Sequence, residues 1–149
     1  MQVLLVLMSI GLVICSALDA NKTLTGCDIN QPLPKDTSSW TCQTGCTCTY
    51  TQYNEDSMCG SITVNDGAHA TVVCNAKKSC QAGCAVSTVG SGTATVKCGG
   101  EGSCYAAGYS GNTDVQCSGA NSCYAIGCRD PAHAECTGSN ACDAAGCSH

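Results

Sequence analysis

The chain has no phenylalanine, a single tryptophan (Trp40) and no leucine beyond Leu33. Those absences exclude a core of large apolar side chains. Ala, Gly and Val fill the second half, and such residues bury little apolar area. Charge is scarce as well, with six Lys or Arg against eleven Asp or Glu and a net charge of −5. Lys77-Lys78 is the only adjacent basic pair. No basic stripe is available to track a phosphate backbone or an anionic bilayer, so nucleic acid is excluded as an expected partner, and so is a membrane surface. No Cys-x-x-Cys occurs, Cys46-Thr47-Cys48 is the only Cys-x-Cys, and His69, His133 and His149 lie far apart. The paired ligand spacing of a structural zinc site is missing. No metal and no cofactor is expected.

The longest apolar run, Val3 to Val13, is too short to span a bilayer comfortably and is followed by Cys15-Ser16-Ala17. This predicts a signal peptide over 1–17, cut after Ala17, with a cut after Ala20 as the alternative. Met1-Gln2 adds no Lys or Arg in front of it. Cys15 as a lipidated residue is disfavoured by the bulky Ile14 before it. Removal of Cys15 leaves sixteen of the seventeen cysteines, an even number that suits full pairing. The last residues, 144–149, are polar, which argues against a glycosylphosphatidylinositol anchor. The expectation is a secreted, extracellular monomer with no membrane insertion after leader removal. Asn21-Lys22-Thr23 is a glycosylation sequon.

Most of the sixteen cysteines stand on a ruler. Cys74, Cys98, Cys117 and Cys136 form one series, and Cys80, Cys104, Cys123 and Cys142 follow six residues behind. Both step by 24, 19 and 19 residues. A period near 20 marks stacked structural units, and cysteines in register mark covalent stapling. Before each first cysteine, as in Ala94-Thr95-Val96-Lys97-Cys98, small or apolar residues alternate with mostly polar ones. That is the period of a strand with one buried face. Gly100-Glu101-Gly102-Ser103-Cys104-Tyr105-Ala106 and Gly119-Ala120-Asn121-Ser122-Cys123-Tyr124-Ala125 repeat a Gly turn followed by what reads as a second strand, with Cys and Ala inward. Gly83, Gly108, Gly127 and Gly146 close the units, and Cys84, Cys128 and Cys147 beside them read as a partly occupied third cysteine column.

The predicted fold is all-β, a short disulfide-stapled parallel β-solenoid (β-helix) over 69–149 in units of 19–24 residues. Neighbouring coils lie ~4.8 Å apart, within reach of a disulfide. Bonds from coil to coil and bonds across one coil, such as Cys117–Cys123 or Cys123–Cys128, both remain open. A chain of disulfide-knotted turns without a continuous sheet is the competing architecture. Five extra residues between Cys74 and Cys98 are assigned around Ala85 to Gly92. Residues 18–68 carry Cys27, Cys42, Cys46, Cys48 and Cys59 off the ruler. They read as an irregular, disulfide-rich N-terminal cap, with Thr47–Thr51 and Ile62–Val64 as strands and Pro32 and Pro34 preventing regular structure.

Each disulfide typically adds ~2–4 kcal/mol by restricting the unfolded chain, which compensates for the thin core. Catalytic chemistry is not visible. Asp114, Glu135 and Asp143 are scattered, and no Ser-His-Asp arrangement stands out, so no enzyme is expected. An ice-binding face needs threonine in register on every coil; the outward columns read Thr71, Thr95, Asp114, His133 and Val73, Lys97, Gln116, Glu135. Tyr105 and Tyr124 occupy equivalent outward positions on consecutive units. They form either a structural stack or a small platform for a sugar or protein.

The apolar leader, the small cysteine-dense remainder and the lack of catalytic residues resemble the small secreted cysteine-rich, effector-like proteins of fungi and oomycetes. The resemblance is one of general character over the whole mature chain. It implies a protease-resistant extracellular binding protein and carries over no functional residue. The expected function is non-enzymatic binding of a host protein or surface glycan. The alternatives are a structural wall or coat protein, a polysaccharide-active enzyme and an ice-binding solenoid.

Overall fold

Short strands run parallel in two facing sheets, and each turn of the chain contributes one strand to each. The structure is a computed structural model that describes residues 29–35, 39–81, 84–124, 126–129 and 132–142. The leader 1–17, Asn21, Cys27 and Cys147 lie outside the described residues. One sheet holds β1 (Ile29–Pro32), β3 (Thr47–Gln52), β5 (His69–Cys74), β7 (Thr93–Cys98), β9 (Thr113–Cys117) and β11 (His133–Cys136), stacked in that order. The other holds β2 (Ser39–Cys42), β4 (Ser61–Val64), β6 (Ala85–Thr88), β8 (Gly108–Ser110) and β10 (Gly127–Arg129). The chain is an all-β, disulfide-rich β-solenoid of about five turns, as the cysteine ruler predicts.

The alternation read from the sequence becomes the core. Tyr50, Val72, Val96, Val115 and Ala134 are in register, point inward and are fully or nearly fully buried. Facing them from the second sheet is the column Trp40, Ile62, Val86, Tyr109 and Cys128. Trp40 and Tyr50 lie with ring centroids 6.0 Å apart in the N-terminal coils, and Tyr109 adds a third buried ring in a later coil. Each buried valine contributes ~1.5–3 kcal/mol. The inward width is therefore carried by few apolar atoms, and the corners carry the staples.

Segment 18–68 was expected to be an irregular cap. Its described part supplies β1 to β4 to the same two sheets, so among the described residues the stacking already includes Ile29. Consecutive strands of the first sheet are offset by 19, 22, 24, 19 and 19 residues, from Ile29↔Cys48 to Asp114↔His133. The two expected strands are β3 and β4. Pro32 does not prevent a strand. Leu33 N–H donates to Thr51 O at 2.7 Å, so the amide position one residue earlier points away from β3. An edge strand tolerates proline there because no ladder bond is lost.

The stretch around the second cysteines is a tight turn, where a strand was expected. Cys80, Cys104, Cys123 and Cys142 have φ between 54° and 62°, and Lys78, Gly102, Asn121 and Asn140, two residues earlier, have φ between 52° and 64°. Two left-handed residues flanking one other bend the chain through a corner, at ~1–2 kcal/mol for each non-glycine residue. Buried serines brace the bend. Ser79, Ser103 and Ser122 Oγ donate to the carbonyls of Ala76, Gly100 and Gly119 at 2.6–2.8 Å. Ser57 donates to Asn54 O in the same way one coil earlier. The glycines of the Gly100, Gly119 and Gly138 column serve close stacking. A Cβ on any of them would strike the carbonyl of Ala76, Gly100 or Gly119 in the preceding coil.

The connectivity left open by spacing is across each coil for the ruler cysteines: Cys74–Cys80, Cys98–Cys104, Cys117–Cys123 and Cys136–Cys142. Cys42–Cys48 closes another six-residue loop, and Cys59–Cys84 joins neighbouring coils. Cys46 and Cys128 are disulfide-bonded too. The third cysteine column is not one column. Cys128 is in register with Tyr109 and Val86, whereas Cys84 precedes Ala85, the partner of Gly108. One of the five extra residues between Cys74 and Cys98 lies between Cys80 and Ala85. The other four lie beyond Ser87, since Ser87 to Ala94 takes seven steps and Ser110 to Thr113 takes three.

Candidate functional site

The corner that follows the ruler disulfides presents the richest outward chemistry. A disulfide and a left-handed cysteine fix the residue after each second cysteine. That residue is Gln81, Tyr105 or Tyr124 in three consecutive coils. Cys104 N–H donates to Ser79 O at 2.9 Å, Cys123 N–H to Ser103 O at 3.0 Å, and Ala106 N–H to Tyr124 O at 3.0 Å, which holds the coils in register. The Tyr105 and Tyr124 rings stack with centroids 5.4 Å apart and planes 6° from parallel. They are 42% and 36% exposed. An offset aromatic pair adds ~0.5–1.5 kcal/mol beyond its buried area.

The stack stops at Tyr105 because the next coil carries Gln81 in place of a tyrosine. A groove of about 510 Å³ runs beside the three coils, lined by Lys78, Gln81, Glu101, Gly102, Tyr105, Asn121 and Tyr124. Gly102 occupies the left-handed position that carries Lys78 in one neighbouring coil and Asn121 in the other. With no side chain there, the groove has a floor between two polar walls.

The charges around this groove come in pairs. Lys77 Nζ meets Glu101 Oε2 at 3.2 Å, and Lys78 Nζ meets Asp56 Oδ1 at 3.8 Å. All four side chains are more than half exposed, so these pairs balance local charge and add little stability.

The sheet faces offer less. On the first sheet the outward columns begin earlier than the ruler implies. Asn30, Thr49, Thr71, Thr95, Asp114 and His133 form one, and Pro32, Thr51, Val73, Lys97, Gln116 and Glu135 the other. Threonine occupies three consecutive coils of one column before Asp114 interrupts it. His69 Nδ1 and Thr93 Oγ1 are 2.6 Å apart on the same face. Asp114 and Glu135, scattered in sequence, come to adjacent columns of adjacent strands. Asp114 Oδ2 accepts from Gln116 Nε2 at 3.1 Å. Glu135 and Gln116 border a shallow groove of about 410 Å³ with Asn75, Lys97 and Ser118, and Asp114 is not among its lining residues; Asp143 lies outside the described residues.

Sulfur atoms gather in three groups, Cys59/Cys80/Cys84, Cys98/Cys117/Cys123 and Cys117/Cys136/Cys142. Every member is disulfide-bonded, so these groups are stacked staples with no thiolate to offer a metal. The many disulfides are consistent with an extracellular protein. Among the described residues no helix is long and apolar enough to cross a membrane.

Comparison of the chain with models of known protein families, with curated proteins and with solved structures finds no match. The function therefore has to be argued from the corner itself.

Proposed function

We propose that this chain is a secreted, non-enzymatic binding protein that meets an extracellular partner, a host protein or a surface glycan, at the tyrosine corner. The observation that carries the reading is the Tyr105–Tyr124 stack, exposed beside a groove on a corner fixed by two disulfides. Rigid aromatic side chains give large contact area at low entropic cost, and a stapled backbone keeps them in place before the partner arrives. The apolar leader and the many disulfides support secretion. The resemblance to effector-like secreted proteins supports action outside the producing cell.

The test is retention of the purified, oxidised protein on host wall material and on host secreted proteins, beside a reduced and alkylated sample. Retention that disappears on reduction is expected. No retention on either fraction, or equal retention after reduction, contradicts a scaffold that presents a binding corner.

A further inference from the structure

We propose that the groove beside Tyr105 takes a neutral glycan, with one sugar ring stacked on the ring face that Tyr105 turns away from Tyr124. The inference rests on the reading that this corner binds. It deepens that reading by choosing carbohydrate over protein and neutral over charged carbohydrate.

Four observations carry it. The Tyr105 and Tyr124 planes are 6° from parallel, so one face of Tyr105 is covered by Tyr124. The coil on the other side places Gln81 at the equivalent position, and Gln81 and Tyr105 both line the groove. The C–H face of a pyranose is apolar and packs on an aromatic face, while its hydroxyls point sideways. Gln81, Lys78 and Glu101, which line the groove with Tyr105, together offer both donors and acceptors. A sugar hydroxyl needs both.

Charge then selects within the carbohydrates. Lys78 is matched by Asp56 and Glu101 by Lys77. Among the described residues that line the groove, no cation is left over to favour a sulfated or uronic sugar. Backbone pairing selects against a peptide added as a further strand. Protein partners that use a solenoid edge need an unpaired strand, and the backbone of this corner is already bonded coil to coil: Lys78 N–H to Glu101 O at 2.8 Å and Gly102 N–H to Ala120 O at 2.9 Å. At about 510 Å³ the groove is in the range of small-ligand sites, large enough for a short oligosaccharide.

The experiment titrates the oxidised protein with neutral oligosaccharides of glucose, mannose and N-acetylglucosamine, with a sulfated and a uronic oligosaccharide alongside. Tyr105→Ala, Tyr105→Phe and Tyr53→Ala are compared; Tyr53 is an exposed tyrosine (73%) outside the groove. The expected result is saturable binding of at least one neutral series, weakened about tenfold or more in Tyr105→Ala. Binding should be kept within a few-fold in Tyr105→Phe and in Tyr53→Ala. It should also be nearly unchanged by a tenfold rise in salt.

Binding of only the charged sugars, falling steeply with salt, overturns the inference while leaving the corner as a binding site. So does a protein partner lost in Tyr105→Ala when no sugar binds. Sugar binding that is unaffected by Tyr105→Ala overturns both this inference and the reading beneath it. Unchanged exchange protection of the core amides in Tyr105→Ala shows that any loss is local.

Discussion

Gln52 Nε2 donates to the carbonyl of Met58 at 3.2 Å, across the corner where later coils carry a disulfide. Gln52 is in register with Cys74, and through it with Cys98, Cys117 and Cys136. Met58 stands six residues on, as Cys80 does from Cys74. Gln52 is fully buried. It also donates to Pro34 O at 3.0 Å and accepts from the backbone and side chain of Asn54. One amide thus does by hydrogen bonding what a disulfide does in the next coils.

Met58 is 39% exposed and lacks the left-handed backbone of Cys80. A staple in the double variant Gln52→Cys, Met58→Cys therefore requires that position to turn inward as Cys80 does, which brings it to the Cα separation of 5.9–6.1 Å of the four ruler pairs. Closing a six-residue loop adds about 2 kcal/mol, and losing the amide's bonds returns about 1 kcal/mol. Intact mass after alkylation should show no added thiol, and the melting temperature should rise by a few degrees. Two alkylatable thiols in the folded variant would contradict the register.

The disulfides should differ in worth. Cys98–Cys104 closes a sequence separation of 6, and Cys59–Cys84 one of 25 while joining neighbouring coils. Chain-entropy reasoning gives about 2 kcal/mol for the first and about 3.5 kcal/mol for the second. Denaturant unfolding of the two Cys→Ala pairs should rank them in that order. The reverse order would show that corner strain, more than chain restriction, sets the stability.

Glycine substitutions separate crowded positions from open ones. Gly119→Ala drives a Cβ into the carbonyl of Gly100, whereas Gly127→Ala meets no atom within 4 Å. Gly119→Ala should cost about 2 kcal/mol or more, and Gly127→Ala should fall within about 0.5 kcal/mol of the parent. Equal effects in urea unfolding would mean that the coils can move apart at the corner.

These particulars explain what could be read in advance. Columns such as Val72, Val96 and Val115 were legible because strand alternation repeats at the same offset from each first cysteine. The first two coils were not, because Gln52 and Met58 stand where the ruler needs cysteine and because the step there is 22. The corner was misread because Ser79-Cys80-Gln81-Ala82 alternates like a strand. The signal of a bend lay two residues earlier, where Gly102, Asn121 and Asn140 are left-handed formers. Tyr105 and Tyr124 were legible as a pair since each follows its cysteine directly. Their groove was not, because it arises from Gly102 and from the ion pairs of adjacent coils.

Tyr109 supplies a pH test. Its hydroxyl is buried with no hydrogen-bond partner among the described residues, and burial holds the phenol far above the ordinary 10.0. Tyr50 is shifted upward for the same reason. The unfolded chain releases these protons first, so the folded state binds more protons above pH ~10 and stability falls as pH rises through that region. Tyr109→Phe should shallow this alkaline loss, leaving the part due to Tyr50. At neutral pH it should be neutral or stabilising by about 1 kcal/mol, since an unpaired buried hydroxyl is removed. Thermal melts of parent and variant between pH 7 and about pH 11 check both statements. An unchanged alkaline slope would mean that Tyr109 reaches solvent.

The most direct measurement of the central claim compares three oxidised proteins for retention on extracellular host material: the parent, the double variant Tyr105→Ala, Tyr124→Ala, and Tyr53→Ala. The account predicts that the parent and Tyr53→Ala are retained alike and that the double variant, still folded and fully disulfide-bonded, washes through. Retention of the double variant equal to the parent would contradict it and move the binding surface away from the tyrosine corner.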